Sequence, residues 1–168
     1  MTSLDTFRKE KDEAFALSAE SPLAEKQKKG FTGLKYFPEN SALRFVAKLE
    51  ESQDHAVAVL RTSTAGTEEY VHAGQFRFTV DDVEVVLQAY QDDHGYFIPF
   101  IDATSPSESY GAGRYLNAHG HGDGTIHVDF NYAYNPFCAY NESWSCPLPP
   151  NQNRILVRIE AGEKKFHD

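Results

Sequence analysis

The chain changes its apolar rhythm once. From Leu4 to about Leu17 the apolar residues Leu4, Phe7, Ala14 and Phe15 fall near helical spacing, with charges from Arg8 to Glu13 between them, which predicts an amphipathic helix. The stretch "SPLAEKQKKG" offers Ser21 as N-cap, Pro22 at the first helical position and Gly30 as stop, so a second, short helix is expected. After Gly30 the period becomes two. "LRFVAKLE" puts Leu43, Phe45, Ala47 and Leu49 on one face, "QFRFTV" groups Phe76, Phe78 and Val80, and "VEVVLQAY" groups Val83, Val85, Leu87 and Ala89.

"VAVLRT", "YFIPFID", "GRYLNA", "TIHVDFN" and "ILVRIEA" add further strands, separated by turn-rich pieces such as "TSTAGTEE", "DDHG" and "HGHGDG". That many short strands overfill one open layer, so the sheet must curl or split. The expected fold is mainly β: a single-domain antiparallel β-barrel or β-sandwich with one or two N-terminal α-helices. Residues 1–30 form the helical segment packed on it, and 31–168 the β-rich body.

Composition narrows the setting. At 168 residues with 40% hydrophobic side chains, the chain can bury a core without staples. No apolar run approaches the ~20 residues of a membrane span. The N-terminus lacks a basic start followed by an apolar stretch, so a soluble, cytoplasmic protein is expected. The net charge is −9, and no lysine occurs between Lys48 and Lys164, a distribution that repels phosphate backbones and argues against nucleic acid as a partner.

The only two cysteines, Cys138 and Cys146, flank the only tryptophan in the loop "YNPFCAYNESWSCPLPPNQNR". Pro136, Pro147, Pro149 and Pro150 stiffen it, since proline fixes its own φ and biases its predecessor toward extended backbone. Packing thiols, a disulfide and a metal half-site all remain open. The seven-residue gap suits neither zinc pairs nor a Cys-x-x-Cys redox motif, and a metal would need His119, His121, His127 or Asp123 to complete its shell. The sequence assigns no metal ligand and no cofactor. "HGHGDG" fits an ordinary hairpin turn better than a cation site.

"SYGAGRYL" and the cysteine loop, followed by "AGE" at Ala161–Glu163, resemble domain-of-unknown-function family 1684 of bacteria and archaea. "SPL" at Ser21–Leu23 and "FTGLKYF" at Phe31–Phe37 are similar to its N-terminal pattern. Ala112 and Phe137 depart from it, standing where glycine and a second proline are expected. The resemblance implies no activity.

Arg114 is the sole basic residue between Gln91 and Asn153, so it either pairs with a buried carboxylate such as Asp129 or anchors an anionic ligand. Strand alternation would put Asp129 and Asn131 on one face and Phe130 and Tyr132 on the other. If that polar face meets Arg114, Tyr110 and Tyr115 in a barrel mouth, with Asn135, Cys138, Cys146 and Arg154 around it, it forms a pocket for a small anionic or aromatic molecule. Small-molecule binding is therefore the leading expectation. An enzyme using Cys138 or Cys146 with an Asp or His, and a structural or interaction module without ligand, are the alternatives.

Overall fold

The computed structural model describes residues 2–168. Helix α1 spans Ser3–Leu17 and opens on a capping box, in which the Thr2 hydroxyl takes the Asp5 N–H and the Asp5 carboxylate returns to the Thr2 N–H. A short α2 covers Glu25–Lys29. It starts later than Ser21 and Pro22 suggest, because the Ser21 hydroxyl is spent on the Phe15 carbonyl and the Leu23 N–H. Gly30 ends it as expected.

Eight strands follow: β1 Arg44–Lys48, β2 Glu50–Glu51, β3 Val57–Arg61, β4 Thr67–Val80, β5 Val83–Asp92, β6 Gly95–Phe100, β7 Arg114–Gly120 and β8 Thr125–Asp129. All pairings are antiparallel, in the order β1-β8-β7-β6-β5-β4-β2, with β3 beside the first half of β4. β1 and β2 are one length of chain interrupted at Leu49. Its first half pairs with β8 and its second with β4, so the same segment forms both ends of the ring and the sheet nearly closes into a barrel.

Alternation sets what fills it. Phe76, Phe78, Leu87, Ile98, Phe100, Leu116, Ile126 and Val128 form one buried apolar interior, as expected of a barrel this small. Phe97 and Tyr115 belong to a separate outer cluster with Cys138 and Cys146. "HGHGDG" is the β7–β8 hairpin connection, as its glycines suggest.

The expected strand "ILVRIEA" does not form. Residues 155–161 cross the barrel as irregular chain, burying Ile159 and Ala161, while Leu156 is exposed. Its first residues bond the backbone just after β6, Ile155 to Ile101 and Val157 to Ala103, but from Ile159 on side chains meet most of the backbone groups. The Arg114 guanidinium donates to the carbonyls of Ile159 at 2.9 Å, Ala161 at 2.5 Å and Glu163 at 3.1 Å, and Asp102 Oδ2 accepts the Ile159 N–H at 2.7 Å. Close backbone approach explains two glycines here. A Cβ on Gly113, at φ +97°, would lie 2.5 Å from the Phe100 carbonyl oxygen, and one on Gly162, at φ +79°, 2.7 Å from that of Ala133.

Candidate functional site

Arg114 leads inward rather than to a cleft. It is 1% exposed and pairs with Asp102 at 3.2 Å, not with Asp129. Burial pulls its pKa down and Asp102 opposes that pull. Asp129 instead binds Arg44 at 2.9 Å and caps the short 3₁₀ turn Phe130–Tyr132, where β8 stops. That turn overturns the expected alternation, since Phe130 and Asn131 are both buried. Asn131 serves the N–H and carbonyl of Asn40. Asn135 gives its N–H to Glu163 at 2.8 Å, and Arg154 is exposed on the far stretch after the loop. These residues do not converge on a barrel mouth, because the barrel interior is filled with apolar side chains.

Two residues that sequence reasoning passed over carry much of this wiring. Glu163, 1% exposed, accepts from Lys11 Nζ at 2.9 Å, the Asn135 N–H at 2.8 Å and the Tyr140 hydroxyl at 2.6 Å, tying α1 and the cysteine loop to one carboxylate. Asn153 inserts its amide where β5 and β6 part. It binds both backbone groups of Gln88 and the carbonyl of Pro99, replacing a ladder step that Pro99 cannot supply. Only their place beside prolines and glycine in dense motifs hinted at either.

The chemically varied surface lies outside the barrel, under α1. The outward residues of β7 and β8, Asn117, His119, His127 and Asp129, face Phe7 and Lys11 of the helix, while Tyr132, Tyr134 and Phe137 complete the walls of a cleft of about 700 Å³. His119 and His127 are cross-strand partners in the β7–β8 register. Phe7 meets Tyr132 edge to face at 5.0 Å, and Lys11 sits 5.2 Å from the Tyr134 ring. The Tyr134 hydroxyl donates to Asn117 Oδ1 at 2.5 Å. Burial raises the Tyr134 phenol to about 12. Of the residues expected to bind a small molecule, this cleft holds only Asp129, while His119 and His127, weighed by sequence only as metal ligands, line it too.

Tyr110, Tyr115, Cys138 and Cys146 do come together, in the outer cluster with Phe97. Both thiols are free and buried. The Cys138 N–H donates to Cys146 Sγ at 3.4 Å, and the Tyr110 hydroxyl to Cys138 Sγ at 3.6 Å. The loop is pinned at the β3–β4 turn, where the Cys146 N–H donates to Ser63 Oγ at 3.1 Å and its carbonyl accepts the Ser63 N–H at 2.9 Å. The Tyr115 hydroxyl secures the Pro147 carbonyl at 2.5 Å. Among the described residues no three His, Cys, Asp or Glu side chains gather as a metal would require.

A family model described as protein of unknown function (DUF1684) matches residues 29–164. The chain belongs to DUF1684. The matched span contains the barrel, the cysteine loop and Glu163, whereas Phe7 and Lys11 precede it. Among solved structures, this DUF1684 chain is similar to the solution NMR structure of the uncharacterized protein from gene locus rrnAC0354 of Haloarcula marismortui. The two are 34% identical with a TM-score of 0.75, over 96% of this chain and 91% of the other. No curated protein matches the DUF1684 chain. No helix among its described residues is long and apolar enough to cross a membrane.

Proposed function

We propose that the protein binds a small molecule in the cleft between α1 and the outer wall of β7 and β8. The supporting observation is the lining itself. Four aromatic side chains, Phe7, Tyr132, Tyr134 and Phe137, surround a few convergent polar groups, in a volume inside the range of about 300–1,000 Å³ common for ligand sites.

The charges narrow the ligand class. Lys11 already answers Glu163, and Asp129 answers Arg44, so neither leaves a full charge for a ligand. Arg114, which could have anchored a strong anion, is sealed in the interior. The cleft thus suits a flat, largely apolar or aromatic molecule whose polar edge meets the His119 and His127 imidazoles and the Asn117 amide. The acidic, lysine-poor middle of the chain argues against nucleic acid as the ligand.

Titration of the labelled protein with single-ring and fused-ring aromatic acids and amides, followed by NMR, tests the reading. The imidazole resonances of His119 and His127 should move together with the Phe7 ring. A panel that leaves all three unmoved at millimolar concentration overturns it.

A further inference from the structure

Cys138 and Cys146 share more than a loop. The Cys146 sulfur lies against the backbone of residue 138, accepting its N–H at 3.4 Å, so bringing the two sulfurs into bond contact asks for side-chain rotation more than backbone travel. The loop itself is held at both ends of the segment, by Glu163 at Asn135 before it and by Ser63 and Tyr115 at Cys146 and Pro147. Packing thiols need no donors. Here the Tyr110 hydroxyl is aimed at Cys138 Sγ, an arrangement that stabilises a thiolate.

The two sulfurs also border different surface clefts. Cys138 lines one of about 440 Å³ with Gln27, Tyr110 and Tyr140, and Cys146 lines one of about 290 Å³ with Tyr70 and Phe97. A reagent entering the first cleft meets Cys138 and not Cys146, which lines only the second.

We propose that Cys138 and Cys146 form a reversible dithiol–disulfide couple that reduces low-molecular-weight disulfides, with Cys138 as the attacking thiol and Cys146 as the resolving one. In the first step Cys138 Sγ, as thiolate, attacks one sulfur of R–S–S–R. A Cys138–S–S–R bond forms, the R–S–S–R bond breaks, and RS⁻ leaves to take a proton from solvent. Cys146 then gives up its proton to solvent and attacks Cys138 Sγ, forming the Cys138–Cys146 disulfide and releasing the second RS⁻. Two electrons pass from the protein dithiol to the small disulfide, which ends as two thiols. Tyr110 and the larger cleft both single out Cys138 as the attacking sulfur, and the side-chain hydrogen bond with Cys146, helped by Tyr110, pulls its thiol down to about 6 against burial.

The untagged protein equilibrated over graded ratios of oxidised to reduced glutathione, quenched in acid and weighed intact after alkylation, tests the proposal. The chain should pass in one two-electron transition to a form lacking two hydrogens and closed to alkylation. Cys146→Ser should stop at one glutathionyl group on Cys138. In the reduced native chain, which needs no variant, iodoacetamide at neutral pH should label Cys138 roughly tenfold faster than Cys146. Two thiols that stay unmodified at the most oxidising ratio, equal and slow labelling of both, or glutathione settling on Cys146 without a bridge would each overturn the assignment.

Discussion

Arg114 and Asp102 meet at 3.2 Å with both side chains 1% exposed, and together they satisfy four backbone groups of the chain crossing the barrel. Desolvating two charges is costly, so the pair pays off only because most of the remaining donors and acceptors are also used, Arg114 Nε being the one left without a partner. Removing one partner strands the other. Arg114→Ala should lower the unfolding free energy by about 3–5 kcal/mol in urea denaturation, and Arg114→Lys should recover only part of that, since an ammonium cannot span Asp102 and three carbonyls at once. A loss below about 1 kcal/mol for the alanine variant would contradict the joint described here.

Glu163 is the point where α1 meets the body. Glu163→Gln keeps the shape but loses the charge facing Lys11 and turns one acceptor into a donor against the Asn135 N–H or the Tyr140 hydroxyl. The expected cost is about 1–3 kcal/mol. Hydrogen exchange should rise in α1 and around Asn135 while β5 to β7 stay protected, and uniform exchange across the chain would refute the role.

The cleft reading makes a different demand. His127→Ala touches a half-buried outer-wall residue, so stability should change by no more than about 0.5 kcal/mol. Ligand-induced stabilisation by an aromatic probe that moves the His119 resonance should nevertheless disappear from melting curves. Retained stabilisation would move the ligand elsewhere.

Tyr110→Phe deletes a donor to Cys138 Sγ and leaves the ring in place. Because that hydrogen bond favours the charged thiolate, its loss must raise the pKa: the pH midpoint of Cys138 alkylation should climb from about 6. Near pH 6 labelling should slow severalfold. An unchanged midpoint would mean that the hydroxyl serves only to pack.

The barrel was legible because its strands alternate cleanly; β1 and β4 to β8 fall where the period of two puts them. "ILVRIEA" shows the same alternation for another reason. Ile159 and Ala161 are buried against the core, but Arg114 and Asp102 meet their backbone, and periodicity reports burial without saying who supplies the hydrogen bonds. The lone guanidinium did point to a buried carboxylate. Asp129 seemed the partner, whereas the register pairing Phe100 with Arg114 brings Asp102, two residues on, to the same end of the hairpin. The α1 cleft was hidden because Phe7 and Lys11 sit more than a hundred residues from His119 and His127, and no local motif joins them.

The segment that is both β1 and β2 has a further effect on how this molecule meets others. A sheet whose first and last members are one piece of chain offers no long seam for an incoming strand. Among the described residues, β1, β2 and β3 each pair with one strand only, none is longer than five residues, and Val46 on β1 and Val57 and Val59 on β3 stand exposed. Intermolecular strand addition, and the aggregation that follows from it, is thereby confined to stretches of at most five residues.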